Sequence, residues 1–229
     1  MLQLQNYSSD ILKNIHFNLK SNQNLIILGS NGAGKSTLAK LLCGITPSPT
    51  LINNTPISEL KAKERVKEIN YIPAKLDIFD EYITLDEYLN LSRLYTILES
   101  KNMLKLLEIE HLKYKSCKEL SSGEQQLTMI ATAVLHNAKI TIFDEPTSNL
   151  DPKKSRDIFS LLKSDIFQTK IIITHDLNLA YKLGYDVMFI KNGMIDFFDN
   201  SKKFFTESNL NHYFGTSVLL TKDGVVGQL

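Results

Sequence analysis

Two kinds of apolar pattern alternate along the chain, and they predict different elements. Leu2-Gln3-Leu4 and Ile15-His16-Phe17-Asn18-Leu19 alternate strictly, which places apolar side chains on one face, as in half-buried antiparallel strands. The continuous runs Leu25–Leu28, Ile140–Phe143, Ile171–Thr174 and Val187–Ile190 predict strands covered on both faces. Helical patterns separate these runs, so a mainly parallel α/β sheet is expected. From about Asp77 to His136 the period is helical, with Leu104, Leu107 and Ile109 followed by Leu127, Ile130, Ala131 and Val134, and the stretch reads as a helical insertion. Lys191-Asn192-Gly193 predicts a hairpin turn before Met194–Phe198. A short helix over Thr206–Phe214 and a strand pair around Asp223-Gly224 follow. No apolar run approaches the roughly 18 residues needed to cross a bilayer, so membrane association must come through a partner.

Composition narrows the classes of function. At 229 residues the chain can bury a substantial core as one large domain or two small ones. Its 26 Lys and Arg against 25 Asp and Glu give no basic field, which argues against nucleic acid as the main partner. Cys43 and Cys117 form no CxxC pair, so they read as small, partly buried thiols in a reducing compartment rather than as a disulfide. The start, MLQLQNYSSD, lacks a basic flank and apolar core of a secretory signal, which predicts a cytosolic protein.

The candidate chemistry begins at GSNGAGKST, Gly29 to Thr37, between the Leu25–Leu28 strand and a helical pattern at Leu38, Leu41 and Leu42. Glycines at 29, 32 and 34 let the backbone turn its N–H groups inward, and the following helix adds the positive end of its dipole. Such a loop (Gly29, Ser30, Asn31, Gly32, Ala33, Gly34) cradles nucleotide phosphates. Lys35 can reach the β- and γ-phosphates, Ser36 can ligate the accompanying Mg²⁺, and Thr37 would lie near the α-phosphate.

Ile140–Glu145 is a buried strand ending in two carboxylates, where acids are normally avoided. Beside a phosphate cradle, Asp144 can hold Mg²⁺ and Glu145 can polarise the attacking water as general base. Leu120-Ser121-Ser122-Gly123-Glu124-Gln125-Gln126 opens an amphipathic helix, and Ser121 with Glu124 has capping-box spacing. The segment can be a well-capped helix, or a helix start that offers Ser121 and Gly123 to a phosphate held by a second copy.

In the order GSNGAGKST, LSSGEQQ, ITIFDEP, SNLD (Ser148 to Asp151) and ITHD (Ile173 to Asp176), the chain resembles the ATP-binding cassette family, the motors of ABC transporters. The resemblance implies one cassette domain over residues 1–229: a P-loop core with an antiparallel β subdomain, 1–74 and 137–229, and a helical subdomain over about 75–136. It implies a head-to-tail homodimer that sandwiches two ATP molecules and their Mg²⁺ between one P-loop and the partner's LSSGEQQ. Ser121, Gly123 and Glu124 would be nucleotide contacts, and Asp151 would couple the two sites. His175 would contact the γ-phosphate and Tyr7 would stack on adenine. The dimer would sit on the cytoplasmic face of an inner membrane, hydrolysing ATP to drive integral permease subunits and, indirectly, a substrate-binding protein. Residues around Lys75–Leu91 would form the groove that receives the permease.

Two positions depart from the family pattern. Ala74, in Tyr71-Ile72-Pro73-Ala74, stands where a glutamine normally senses Mg²⁺ and water, so altered turnover or coupling is expected. Ser122 replaces the first glycine of LSGGQ, which is tolerable if its φ is negative. Residues 56–74 and LNHYFGTSV are similar to importers of iron-siderophores, haem and cobalamin. An exporter motor, a soluble cassette ATPase and a weakly hydrolysing nucleotide-binding module are the alternatives.

Overall fold

The computed structural model describes residues 1–77, 80–148 and 150–227. In chain order the first elements are β1 (Leu2–Tyr7), β2 (Ile15–Leu19), β3 (Leu25–Gly29), α1 (Lys35–Leu42), β4 (Leu51–Ile52) and β5 (Thr55–Pro56). Next come α2 (Ala62–Glu68), β6 (Ile69–Ile72), α3 (Leu85–Leu91), α4 (Ser100–Leu106), α5 (Ser122–His136), β7 (Ile140–Asp144) and α6 (Pro152–Lys163). The last part holds β8 (Thr169–Ile173), α7 (Leu177–Leu183), β9 (Asp186–Lys191), β10 (Met194–Asp199), α8 (Ser201–Phe204), α9 (Glu207–Phe214), β11 (Val218–Thr221) and β12 (Gly224–Gly227). These fall into two compact units, one built from 1–60 with 169–229 and the other from 61–168.

In the first unit β3 is parallel to β8 on one side and to β9 on the other, with Leu25 opposite Ile171 and Asp186. Leu25–Leu28 and Ile171–Ile173 are fully buried, which is why these runs carry no polar alternation. β10 folds back antiparallel onto β9 through Asn192 and Gly193, both at positive φ, as the predicted tight hairpin requires. β1 and β2 form the expected antiparallel pair, with Leu2, Leu4, Ile15, Phe17 and Leu19 turned inward. β4 and β5 extend that sheet as a short hairpin at Asn53-Asn54, a pair the sequence pattern does not announce. Phe189, Phe204, Tyr213 and Phe214 pack as an aromatic cluster that fixes α8 and α9 against β9.

In the second unit β6 and β7 are parallel, Ile69 to Ile72 lying opposite Ile140 to Phe143. α5 buries Leu127, Ile130, Ala131 and Val134, the stripe that predicted it, and Asn137 ends it in the left-handed conformation. The apolar spacing Leu104, Leu107, Ile109 has a helical period, and α4 stops at Leu106 within it. Glu108 adopts φ 56°, and Ile109 N donates to Leu104 O at 2.9 Å while Glu108 N donates to Lys105 O at 3.1 Å, the two bonds of a Schellman ending. Both cysteines are more enclosed than expected, Cys43 at 7% and Cys117 at 1% exposure, and neither is bonded to the other. Among the described residues no helix is long and apolar enough to cross a membrane.

Candidate active site

The loop from Gly29 to Gly34 is shaped by steric exclusion. Gly29 (φ 154°) has no room for a side chain, because a Cβ there would lie 2.4 Å from the Ile190 carbonyl oxygen. At Gly34 (φ 101°) a Cβ would meet Leu12 at 2.7 Å. Gly32, at φ 79°, faces open space and needs glycine for its backbone alone. Ser30, Asn31 and Gly32 are exposed at the crest, while Ala33, Gly34 and Lys35 are buried.

Helix α1 begins on this loop without a side-chain cap and without an acid in its first turn. α4 shares both features, whereas α3, α5, α6, α7 and α9 begin on Thr84, Ser121, Asp151, Asp176 and Thr206, each of which accepts from the first turn of its helix. No side chain therefore caps the start of α1, and the helix dipole favours an anion there. Lys35, only 8% exposed, curls back so that Nζ donates to Gly29 O at 2.8 Å and Ser30 O at 3.0 Å. Neutral carbonyls hold the ammonium in place, and a phosphate would be a stronger partner for it. Ser36 is exposed and Thr37 half-buried on the next turn.

His175 follows β8, whose last pairing continues through Thr174 N donating to Ile27 O at 3.2 Å. It lines a cavity of about 360 Å³ together with Leu28, Gly29, Ser30, Phe189 and Tyr213, so the histidine borders the start of the phosphate loop. Asp176 secures that corner, its Oδ1 accepting from Asn178 N and Leu179 N at 2.9 Å. Tyr7 is half-buried at the end of β1, where the register to β2 is irregular between Leu4 and Tyr7.

The second unit carries the acidic pair. β7 is buried throughout and delivers Asp144, 5% exposed, at its end. Tyr71 Oη donates to Asp144 Oδ2 at 2.9 Å, a contact the sequence does not reveal because 73 residues separate the two. Glu145 leaves the strand at φ 51°, uncommon for a side chain of this size. Its carbonyl accepts from Gln126 Nε2 and from Ser148 N, each at 3.2 Å, and these bonds hold the turn. Gln126, 1% exposed on α5, is therefore a supporting residue within LSSGEQQ that the motif spacing does not single out.

The start of α5 is a complete capping box. Glu124 N donates to Ser121 Oγ at 3.4 Å, Ser121 N donates to Glu124 Oε2 at 2.7 Å, and Lys115 Nζ reaches the same carboxylate at 3.1 Å. Burial pushes the Glu124 carboxyl up, but the Ser121 and Lys115 bonds outweigh it and hold the group below its ordinary value. Ser121 and Ser122 are exposed and Gly123 half-buried, so the end of the helix is open to a ligand. Ser122 is not among the described residues with positive φ, and the serine fits its helical position as expected. Asp151 caps α6 by accepting from Lys154 N at 3.0 Å, a bond that also holds its carboxyl below the usual range. Asn149, within SNLD, and residues 78–79, within the groove expected over 75–91, lie outside the described residues. Ala74 is half-buried just beyond β6.

The family model for ABC transporters matches residues 12–148. The chain is 34% identical over 194 residues to a putative ABC transporter ATP-binding protein of Clostridium tetani; the match takes in 81% of this chain and 44% of that protein. It is 31% identical to an uncharacterized ABC transporter ATP-binding protein of Methanocaldococcus jannaschii, over 93% of this chain and 89% of the relative. Identity to the phosphonates import ATP-binding protein of Fusobacterium nucleatum is 32%, over 93% and 96%. Among solved structures, a dimeric ATP-binding cassette in a post-hydrolysis state with ADP and Pi superposes at a TM-score of 0.74, with 25% identity over 88% of this chain and 99% of that one. The protein cbiO1 from Clostridium perfringens, part of the ABC transporter complex cbiONQ, superposes at 0.72 with 28% identity over 93% and 95%. With a glycine-bound phosphate loop, a buried lysine folded onto it and an acidic strand end in a mixed α/β fold, the chain belongs to the ABC transporter family, as an ATPase subunit.

Proposed function

We propose that the chain is the motor of an importer, working as a head-to-tail homodimer on the cytoplasmic face of the inner membrane and driving integral permease subunits served by a substrate-binding protein. The observation that carries the nucleotide part of this reading is the uncapped start of α1 on a loop of required glycines, with the Lys35 ammonium drawn over it. Import is supported by a relative named for phosphonate import, and the permease by a neighbour that is part of a transporter complex. For the cargo, the similarity of residues 56–74 and of LNHYFGTSV favours an iron-siderophore, haem or cobalamin.

In this reading the amides from Gly29 to Thr37 bind the phosphates, and Lys35 exchanges its two carbonyl partners for β- and γ-phosphate oxygens. Tyr7 stacks on adenine. The Ser36 hydroxyl and the Asp144 carboxylate are hard oxygen donors of the kind Mg²⁺ takes, and the exposed Ser36 leaves room for the waters that ion keeps. Bound Mg²⁺ would neutralise phosphate charge. Glu145 accepts a proton from water as the water oxygen bonds to the γ-phosphorus and the bond to ADP breaks. His175 holds the γ-phosphate. Ser121, Gly123 and Glu124 of the second copy close over the nucleotide with the end of α5, and Asp151 links the two sites.

Pull-down of the tagged chain from its own membranes in mild detergent tests the importer reading. Recovery of a many-helix permease of the siderophore or cobalamin type supports it. An exporter permease would reverse the direction, and recovery of soluble, ribosomal or DNA-bound partners alone would overturn the assignment.

A further inference from the structure

Asp144 is almost wholly buried, and a carboxylate in that position needs partners that satisfy and orient it. The register of the second unit supplies one. Tyr71 on β6 lies opposite Ile142 on β7, and the two-residue period of a strand puts Ile142 and Asp144 on the same face. A side chain as long as tyrosine reaches one step further along that face, and its hydroxyl donates to Asp144 Oδ2 at 2.9 Å. Phenylalanine would fill the same space and offer no proton. The neighbours Ile72, Pro73 and Ala74 have no polar side-chain atom, so within Tyr71–Ala74 the side-chain hydrogen bond to Asp144 is made by Tyr71 alone.

We propose that Tyr71 is a positioning residue for the metal site: its phenol fixes the orientation of the Asp144 carboxylate, and the cation that accompanies ATP binds more tightly for it. A hydrogen bond to an ionised acceptor is stronger than one between neutral groups, and it is directional. Partners behind a metal-binding carboxylate typically change metal affinity by about 10- to 100-fold. The inference rests on the reading of Asp144 as the carboxylate that holds Mg²⁺.

The test compares the parent chain with Tyr71→Phe and Asp144→Asn by two measurements that do not depend on turnover. One is a titration of the protein–ATP complex with Mn²⁺, followed by electron paramagnetic resonance. The other is the affinity for a fluorescent ATP analogue with Mg²⁺ and with EDTA. Tyr71→Phe should weaken Mn²⁺ binding about tenfold, at the lower end of the range for such partners, and leave the affinity in EDTA unchanged. Equal losses with and without the metal would show a packing role, and no loss would show an idle hydroxyl; either result overturns the proposal. If Asp144→Asn binds Mn²⁺ as the parent does, the metal reading of Asp144 itself fails. Should Tyr71→Phe lack a cooperative thermal transition, Tyr71→Leu is read by the same criteria.

Discussion

Replacing Gly29 by alanine should damage the protein far more than the same change at Gly32, although both glycines have positive φ. At Gly32 the added Cβ meets nothing within 4 Å, so the cost is that of the left-handed backbone, about 1–2 kcal/mol. Gly29 has a comparable or larger backbone penalty, about 1–3 kcal/mol, because its φ of 154° lies where essentially only glycine goes. Its Cβ would also sit 2.4 Å from Ile190 O, roughly 1 Å inside an ordinary C···O contact. That oxygen belongs to the backbone of β9, paired in register with Gly29 itself, and it cannot rotate away as a side chain would. Relieving the overlap means parting β3 from β9 at this rung, which adds about 1–3 kcal/mol as overpacking does. Gly29→Ala should therefore lose about 4 kcal/mol and Gly32→Ala about 1.5 kcal/mol. Urea unfolding of the ligand-free protein measures the difference directly. The same shift moves the Gly29 backbone at the start of the loop that binds the phosphates, so ATP affinity should fall with stability. If the two variants lie within about 1 kcal/mol of each other, the steric account of the loop is wrong.

Further predictions concern two buried side chains. The Thr141 hydroxyl is enclosed without a hydrogen-bond partner among the described residues, and Thr141→Val keeps its shape, so the variant should be more stable by about 1 kcal/mol in the same unfolding assay. Burial, aided by the nearby Glu87 charge, pushes the Cys117 thiol up to about 11, so at pH 8 it should react with Ellman's reagent at least about tenfold more slowly in the native protein than in urea. The folded thiol keeps its proton to higher pH than the unfolded one at 9.0; its contribution to stability is therefore fully present below pH 9 and lost between 9 and about 11. Cys117→Ala should lose that slope.

What the sequence disclosed and what it hid divide along physical lines. The buried strands β3, β7, β8 and β9 were legible because burial on both faces favours apolar runs, although buried Thr169 and Lys170 hid the start of β8. The phosphate loop was legible because closely spaced glycines, a lysine and a serine each answer a separate steric or chemical demand. The hairpin of β4 and β5 was hidden because two-residue strands are too short to alternate, leaving only the positive φ of Asn53 and Asn54 as a signal. Helix α2 has no buried residue, so there was no stripe to read. The end of α4 rests on Glu108 taking a conformation more usual for glycine. In the site, the residues of the motifs could be named, but those that hold them could not. The bonds of Tyr71 to Asp144 and of Gln126 to Glu145 depend on strand register and on the approach of α5, which no local pattern encodes.

The most direct test of the central claim is phosphate release from ATP by the purified chain and by Lys35→Ala and Glu145→Gln. Turnover is expected in the parent, loss of both binding and turnover in Lys35→Ala, and, in Glu145→Gln, a fall of at least about 100-fold with ATP still bound in a closed dimer. Turnover that survives in Glu145→Gln would contradict the assignment of the base, and turnover that survives in both variants would contradict the site itself.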